Sequence, residues 1–312
     1  MDATRDCSTA NPSRRAVLAT GLAASTLAVT RGVLAQADRP VVTRPIPHSG
    51  EQLPVVGLGT AVSFPQADQT KMEVLRKVID ALIGGGGKLI DTASVYGNAE
   101  TVIGNILDTG KSRDRVFLAT KIEVRSPKAG ADEFQHSLQR LKTTKVDLLQ
   151  LHNVSSARQS LSQLRDWKAS GRCRYIGVTS TYPQDYPAME AIIRREKPDF
   201  VQVDYSMDNR DAEKRIIPAA ADAGAAVLTA LPLGRTSLFR AVKGKSVPEW
   251  AKEFDAATWG QFFLKFLLGN PNVTAVIPGT GNPEHMTDNL GAARGRMPDA
   301  QQREKMVAVL SS

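Results

Sequence analysis

Eight short runs of apolar and β-branched residues recur along the chain, each followed by a longer amphipathic run. This alternation constrains the fold more than any other feature. The runs are 55–59, 88–92, 116–121, 147–152, 175–179, 200–205, 226–231 and 273–278. Most are apolar through the middle, as parallel strands covered on both faces require. Helices are predicted at 69–83, 98–107, 132–141, 156–169, 185–195, 211–223, 255–268 and 283–292. Eight such units favour a closed α/β barrel, the (β/α)8 or TIM barrel, over an open doubly wound sheet. No Gly-x-Gly-x-x-Gly follows a strand at the head of a helix. The run from Gly84 to Gly87 precedes a strand and reads as a helix exit, so a Rossmann domain is excluded. Nothing inside the barrel reads as a linker, and a single domain is expected.

The first 37 residues differ in kind. Ser13-Arg14-Arg15-Ala16-Val17-Leu18 leads into an uncharged run, 16–30, rich in Ala, Thr and Gly. A spanning helix needs about 20 apolar residues, so this run suits a signal-peptide core instead. Ala35-Gln36-Ala37 supplies a small-x-small cleavage site. The paired arginines resemble a twin-arginine (Tat) export signal. They depart from it at Val17, where Phe or Leu is usual. Residues 1–37 are therefore read as the signal peptide. Residues 38–312 are read as the barrel, with a short N-terminal hairpin turning at His48-Ser49-Gly50-Glu51 and a C-terminal helix at 299–310. The expected location is the periplasm, with the Tat export machinery as a partner and no stable membrane insertion. A cytoplasmic location follows if the leader does not function. Cys7 lies in the leader, which leaves Cys173 with no intramolecular partner and a place in the core. The formal net charge is +8. Lys and Arg are scattered without interleaved aromatics, which argues against nucleic acid as a partner.

In a barrel, catalytic groups sit at the C-terminal ends of strands. Reading those ends gives Asp91, Lys121 and His152, with Tyr96 five residues beyond Asp91. A lysine closing an apolar strand needs a partner, and Asp91 is the nearest candidate. A phenol ionises near pH 10, and a neighbouring ammonium and imidazole favour its anion. Tyr96 is thus suited to act as general acid toward an oxygen forming on a carbonyl carbon. That reaction needs a hydride, which no side chain supplies, so a nicotinamide cofactor is implied. A rival use of Lys121 as a Schiff-base nucleophile remains open on these residues. With four histidines and no ligand spacing, no metal is expected.

These segments resemble the aldo-keto reductase family. Asp91-Thr92-Ala93-Ser94-Val95-Tyr96-Gly97 is similar to its Asp-Thr-Ala-x-x-Tyr-Gly, Thr120-Lys121 to its Thr-Lys strand end, and Leu149-Gln150-Leu151-His152 to its Leu-x-x-His. The resemblance spans 55–293. It implies that Asp91, Tyr96, Lys121 and His152 form the catalytic tetrad, with Tyr96 the proton donor and a small carbonyl compound the substrate. It also implies cofactor contacts. Gly177-Val178-Thr179-Ser180 is similar to the family's Gly-Val-Ser-Asn, which assigns Thr179 and Ser180 to the carboxamide with Gln202. Tyr205 resembles the aromatic that stacks on nicotinamide. Pro232, Leu233 and Gly234 resemble the loop over the pyrophosphate. Pro278, Gly279, Thr280, His285 and Asn289 resemble the segment around the adenosine phosphate. No Lys or Arg stands at 279–282, so NADP is expected on weaker grounds, with NAD possible. The alternative is a non-turnover NADP(H)-binding sensor or regulatory subunit of the same fold. The loop after His152 reads as very short, which predicts a low wall and an open mouth. Phe64, Val95, Tyr182, Phe239 and Trp250 lie in the other mouth loops. A monomer is expected.

Overall fold

The computed structural model describes residues 39–66, 68–124 and 126–310, so the leader read at 1–37 lies outside the described residues. An antiparallel hairpin comes first, β1 (Thr43–Pro45) and β2 (Gln52–Pro54). Eight parallel strands follow: β3 (Leu58–Gly59), β4 (Leu89–Asp91), β5 (Phe117–Ile122), β6 (Val146–Leu151), β7 (Cys173–Ser180), β8 (Phe200–Asp204), β9 (Ala226–Ala230) and β10 (Ala275–Val276). They pair in sequence order from β3 to β10. Parallel bridges between Val56 and Val276, and between Gly59 and Gly279, bring the last strand back to the first and close the barrel. Gly59 N–H donates to the Pro278 carbonyl at 3.0 Å. A Cβ on Gly59 would lie 2.8 Å from the Ile277 carbonyl oxygen, so this closing contact requires glycine.

The helices are α1 (Gln69–Gly84), α2 (Ala99–Thr109), α3 (Pro127–Arg140), α4 (Ser162–Ala169), α5 (Tyr186–Glu196), α6 (Ile216–Asp222), α7 (Ser237–Ala241), α8 (Trp259–Leu268), α9 (Pro283–Gly291) and α10 (Ala300–Ala308). Successive strand side chains point to opposite faces, so each strand feeds two apolar layers. Leu89, Phe117, Leu148, Tyr175, Phe200 and Leu228 fill the barrel, plugged from below by Ile46 and Leu53 of the hairpin. Ile90, Leu118, Leu149, Val178, Val201 and Val227 face outward into the larger layer under the helices. Cys173 is buried there. Among the described residues no helix is long and apolar enough to cross a membrane.

Several helix boundaries differ from those expected. Helix α3 starts at Pro127, not 132. The Ser126 hydroxyl accepts from Ala129 N–H, and Pro127 sits in the first turn, where its missing N–H is harmless. Helix α4 starts at Ser162, not 156. The segment between His152 and α4 is therefore long, and part of it is tied by the Gln159 amide oxygen to the N–H groups of Ser155 and Ser156. The low wall expected there is corrected accordingly. The predicted helix at 211–223 divides into a 3-10 turn, Asp211–Lys214, and α6. The one at 255–268 starts at Trp259 under a Thr258 cap.

Candidate active site

Strand parity aims a polar set into the barrel mouth: Asp91 from β4, Lys121 from β5, Gln150 from β6, Thr179 from β7, and Gln202 and Asp204 from β8. The Lys121 ammonium is buried and donates to Asp91 Oδ2 at 2.6 Å and to the Thr92 carbonyl at 2.7 Å. Gln202 Nε2 donates to the same Asp91 oxygen at 3.3 Å, and Gln150 Nε2 donates to Gln202 Oε1 at 2.8 Å. Gln150 and Asp204 were not singled out from sequence. Their signal was parity, since Gln150 stands two residues before His152 and Asp204 two after Gln202. Among the described residues, Asp91 Oδ1, Gln150 Oε1, His152 Nδ1 and Asn153 Oδ1 are buried and face no hydrogen-bond partner.

Tyr96 sits in a turn beyond β4, its N–H donating to the Ala93 carbonyl at 3.1 Å. Its ring centroid lies 5.1 Å from Lys121 Nζ and 5.7 Å from the His152 ring, edge to face. Burial opposes the Lys121 charge, but the Asp91 carboxylate and the Tyr96 oxygen outweigh it and raise the ammonium's pKa. Burial also pushes the Asp91 carboxyl up, against the pull of Lys121 and Gln202. The two tendencies compete for one proton. The ammonium's three donors, two of them placed on Asp91 and the Thr92 carbonyl, assign it to Lys121. Burial first, and the Lys121 charge second, push His152 down to about 4. Its imidazole is neutral at pH 7. Burial raises Asp204 to about 6, with Arg235 3.8 Å away opposing.

The residues expected to hold a cofactor divide by face. Thr179 points inward, its hydroxyl accepting Asn153 N–H at 3.3 Å. Ser180 points outward, donating to Asp185 Oδ2 at 3.0 Å and accepting Tyr182 N–H at 3.1 Å. Tyr205 is corrected. It is fully buried on the outer face, its ring against Phe266 and its hydroxyl bonded to Glu213 and Arg303. Gln202 and Tyr205 are three residues apart, so regular alternation already puts them on opposite faces, and Tyr205 cannot stack on a ligand in the mouth. Pro232, Leu233 and Gly234 form the loop after β9. Leu231, Gly234, Arg235 and Thr236 there are left-handed, at φ +53, +58, +47 and +74. Gly234 stands at φ +58, where an L side chain is strained, so glycine suits that turn. Pro278, Gly279 and Thr280 follow β10, and the Thr280 hydroxyl accepts Asn282 N–H at 3.0 Å. His285 is exposed in the first turn of α9, and Asn289 is buried one turn on. Phe239 packs on Phe263, and Trp250 on Phe254 and Phe262, so both hold their own segment together. No cluster of His, Cys, Asp and Glu able to hold a metal occurs among the described residues.

Comparison with known proteins agrees with this architecture. The sequence model of the aldo/keto reductase family matches residues 55–305. A probable aldo-keto reductase 1 of Glycine max is 27% identical over 297 residues, covering 81% of this chain and 83% of that one. The aldo-keto reductase str7 of Strobilurus tenacellus is 24% identical over 256 residues, 70% of this chain and 75% of the relative. Among solved structures, an aldo-keto reductase from Klebsiella pneumoniae in complex with NADPH superposes with a TM-score of 0.71 at 22% identity, covering 87% of this chain and 95% of that one. A holo aldo-keto reductase from Bacillus halodurans gives 0.72 at 21% identity, covering 86% and 96%. At such identity these two structures speak to the fold alone.

Proposed function

The chain belongs to the aldo/keto reductase family, and from that premise we propose that it reduces small aldehydes or ketones with NADP(H), Tyr96 serving as proton donor. The observation that carries this reading is the buried Asp91–Lys121 pair set against Tyr96, with a neutral His152 at its edge. The nicotinamide supplies the hydride when bound. Tyr96 gives its proton to the carbonyl oxygen as charge develops there, and Lys121 favours the phenolate left behind. Asp91 keeps Lys121 charged and in place. His152, being neutral, orients the carbonyl by hydrogen bonding without competing as an acid.

The chain's residues fit such a cofactor. Thr179 and Gln202 present polar groups inward, beside buried polar atoms that lack protein partners. The loops Pro232–Gly234 and Pro278–Thr280 flank the same side of the mouth. In the first turn of α9, Pro283 has no N–H and those of Glu284 and Met286 donate to the Asn282 side chain and carbonyl, which leaves the His285 N–H to face a phosphate. Asn289 lies one turn behind it. NADP is favoured over NAD through His285, by its side chain and N–H, and the Klebsiella pneumoniae aldo-keto reductase was solved with NADPH. Tyr205 has no part in this assignment, and Ser180 acts at most through its backbone.

The deciding experiment follows oxidation of NADPH, and separately NADH, by the full chain against a panel of small aldehydes and ketones, alongside Tyr96→Phe. Turnover is expected with NADPH and is expected to fall by about a thousandfold in Tyr96→Phe while NADPH still binds. NADPH binding without turnover on any carbonyl would point instead to a sensor or regulatory subunit.

We further propose that residues 1–37 direct Tat export to the periplasm and that the barrel folds before transport. Fractionation of wild type against Arg14→Lys/Arg15→Lys checks this. The variant is expected in the cytoplasm, and an unchanged distribution rejects export.

A further inference from the structure

Glu133 lies on α3, outside the barrel wall, and plays no part in the site described above. Its carboxylate accepts the backbone N–H of Glu123 through both oxygens, at 3.1 Å each. It also accepts the hydroxyl of Ser94. Ser94 stands two residues before Tyr96, and Glu123 two residues after Lys121. Ser94 is held from a second direction, its backbone N–H donating to the Lys121 carbonyl at 3.0 Å. One carboxylate thus joins the turn that carries the phenol to the strand end that carries the ammonium.

We propose that Glu133 is a positioning residue that fixes Tyr96 against Lys121 and His152. The proposal rests on Tyr96 being the proton donor. Asp91 and Lys121 lie on strands, whose ladders hold them. Tyr96 does not. It sits in a turn between β4 and α2, and the neighbouring Val95 is exposed. Sites built on loops are looser than sites on strands unless a surrounding layer of hydrogen bonds restrains them. Hydrogen bonds to an ionised carboxylate are about twice as strong as neutral ones. Glu133 accepts from two donors, the Glu123 N–H shared between its oxygens and the Ser94 hydroxyl, and together they span the gap between the two catalytic segments. Tyr96 takes the same support at a distance, because Ser94 and Tyr96 belong to one tight turn closed by the Tyr96 N–H to Ala93 carbonyl bond. Glu133 also borders an open groove of about 430 Å³ with Val95, Ala129 and His136. Truncating it therefore widens that groove and leaves no closed cavity in the core.

The test compares the full chain with Glu133→Ala, Glu133→Gln, Ser94→Ala and the Ser94→Ala/Glu133→Ala double variant. It measures kcat and KM for an aliphatic aldehyde, NADPH affinity by protein fluorescence, and amide exchange across 92–98. Rates are normalised to NADPH-binding stoichiometry. In Glu133→Ala, kcat is expected to fall about ten- to a hundredfold, the scale of a misplacement near 1 Å. KM and NADPH affinity stay within about twofold, since neither binding surface is touched. Exchange across 92–98 speeds up. Glu133→Gln keeps kcat within about threefold of wild type, because its Oε1 still accepts Glu123 N–H and its Nε2 can donate to Ser94 Oγ. Ser94→Ala repeats the loss, and the double variant is no worse than Glu133→Ala, as expected for two cuts in one link. A Glu133→Ala kcat within twofold of wild type overturns the proposal. So does a Glu133→Gln variant as slow as Glu133→Ala, which would make the effect one of charge. If wild type reduces no carbonyl, the reductase reading fails separately. Exchange across 92–98 then decides the bridge alone, with faster exchange in Glu133→Ala supporting it and unchanged exchange rejecting it.

Discussion

At the lower end of the barrel, near the hairpin, the Asp199 carboxylate meets Lys168 Nζ at 2.6 and 2.8 Å, His48 Nδ1 at 3.2 Å and Ile176 N–H at 2.9 Å. Asp147 meets Arg113 at 3.0 Å, Arg174 at 2.9 Å and Leu118 N–H at 2.8 Å. Both oxygens of each acid are used, and of the side chains named here only Arg113, at Nε, buries an unpartnered atom. At the upper end, Lys121 and Gln202 crowd onto one oxygen of Asp91 while the other has no protein partner, and Gln150, His152 and Asn153 each bury an unpartnered atom. Native interiors pair almost all buried polar groups, so a cluster of exceptions marks a place reserved for something else. The lower end uses its charges to hold the barrel shut. Under the proposed function, the unpartnered atoms of the upper end are those that a bound ligand would meet.

The largest expected effect would break this contrast if it failed. Lys121→Met and Lys168→Met each remove an amine from a buried carboxylate. Lys121→Met strands Asp91 and is expected to cost about 3–5 kcal/mol, with turnover lost. Lys168→Met leaves Asp199 bonded to His48 and Ile176 N–H, and Lys168 is 39% exposed. It is expected to cost about 1 kcal/mol with kcat unchanged. Urea unfolding of both variants checks this, and equal losses would erase the distinction between the two ends.

A pH experiment sharpens it. His152 is pushed down to about 4 from an ordinary value of 6.5. A histidine depressed on folding binds its proton more readily when unfolded. Its contribution is therefore fully present above about pH 6.5 and is lost as pH falls from there through about 4. The stake is about 3 kcal/mol. Thermal melts from pH 7.5 to 4 are expected to show a shallower fall in His152→Gln than in wild type. Parallel curves would mean that His152 is not desolvated as described.

The smallest effect concerns Tyr205. Tyr205→Phe removes a hydroxyl from Glu213 and Arg303 and is expected to cost about 1–2 kcal/mol. NADPH affinity should not change. A tenfold weaker affinity in fluorescence titration would place the ring in the mouth after all.

Strand-end chemistry made Asp91, Lys121 and His152 legible, because that signal is local, whereas Gln202 was assigned only through the family resemblance. Tyr205 was misassigned by likeness of segment, although its odd spacing from Gln202 already set it on the other face. Helix α3 begins five residues before the expected start, because Pro127 opens it under the Ser126 cap. The long approach to α4 could not be read, since the side-chain bonds of Gln159 that tie part of it leave no periodic trace.

The sequence by itself determined the barrel, its eight strands and the ends where chemistry gathers. Burial patterns repeat every two or four residues, and such periods survive without knowledge of contacts. Only the tertiary structure decided which polar atoms stay unpartnered, how the Asp91–Lys121 pair is shared with Gln202 and Gln150, and that Glu133 reaches Ser94 across 39 positions of chain. Those facts depend on which strands become neighbours and how helices dock against them. Distances of that kind are set by packing of the whole barrel rather than by any local run of residues.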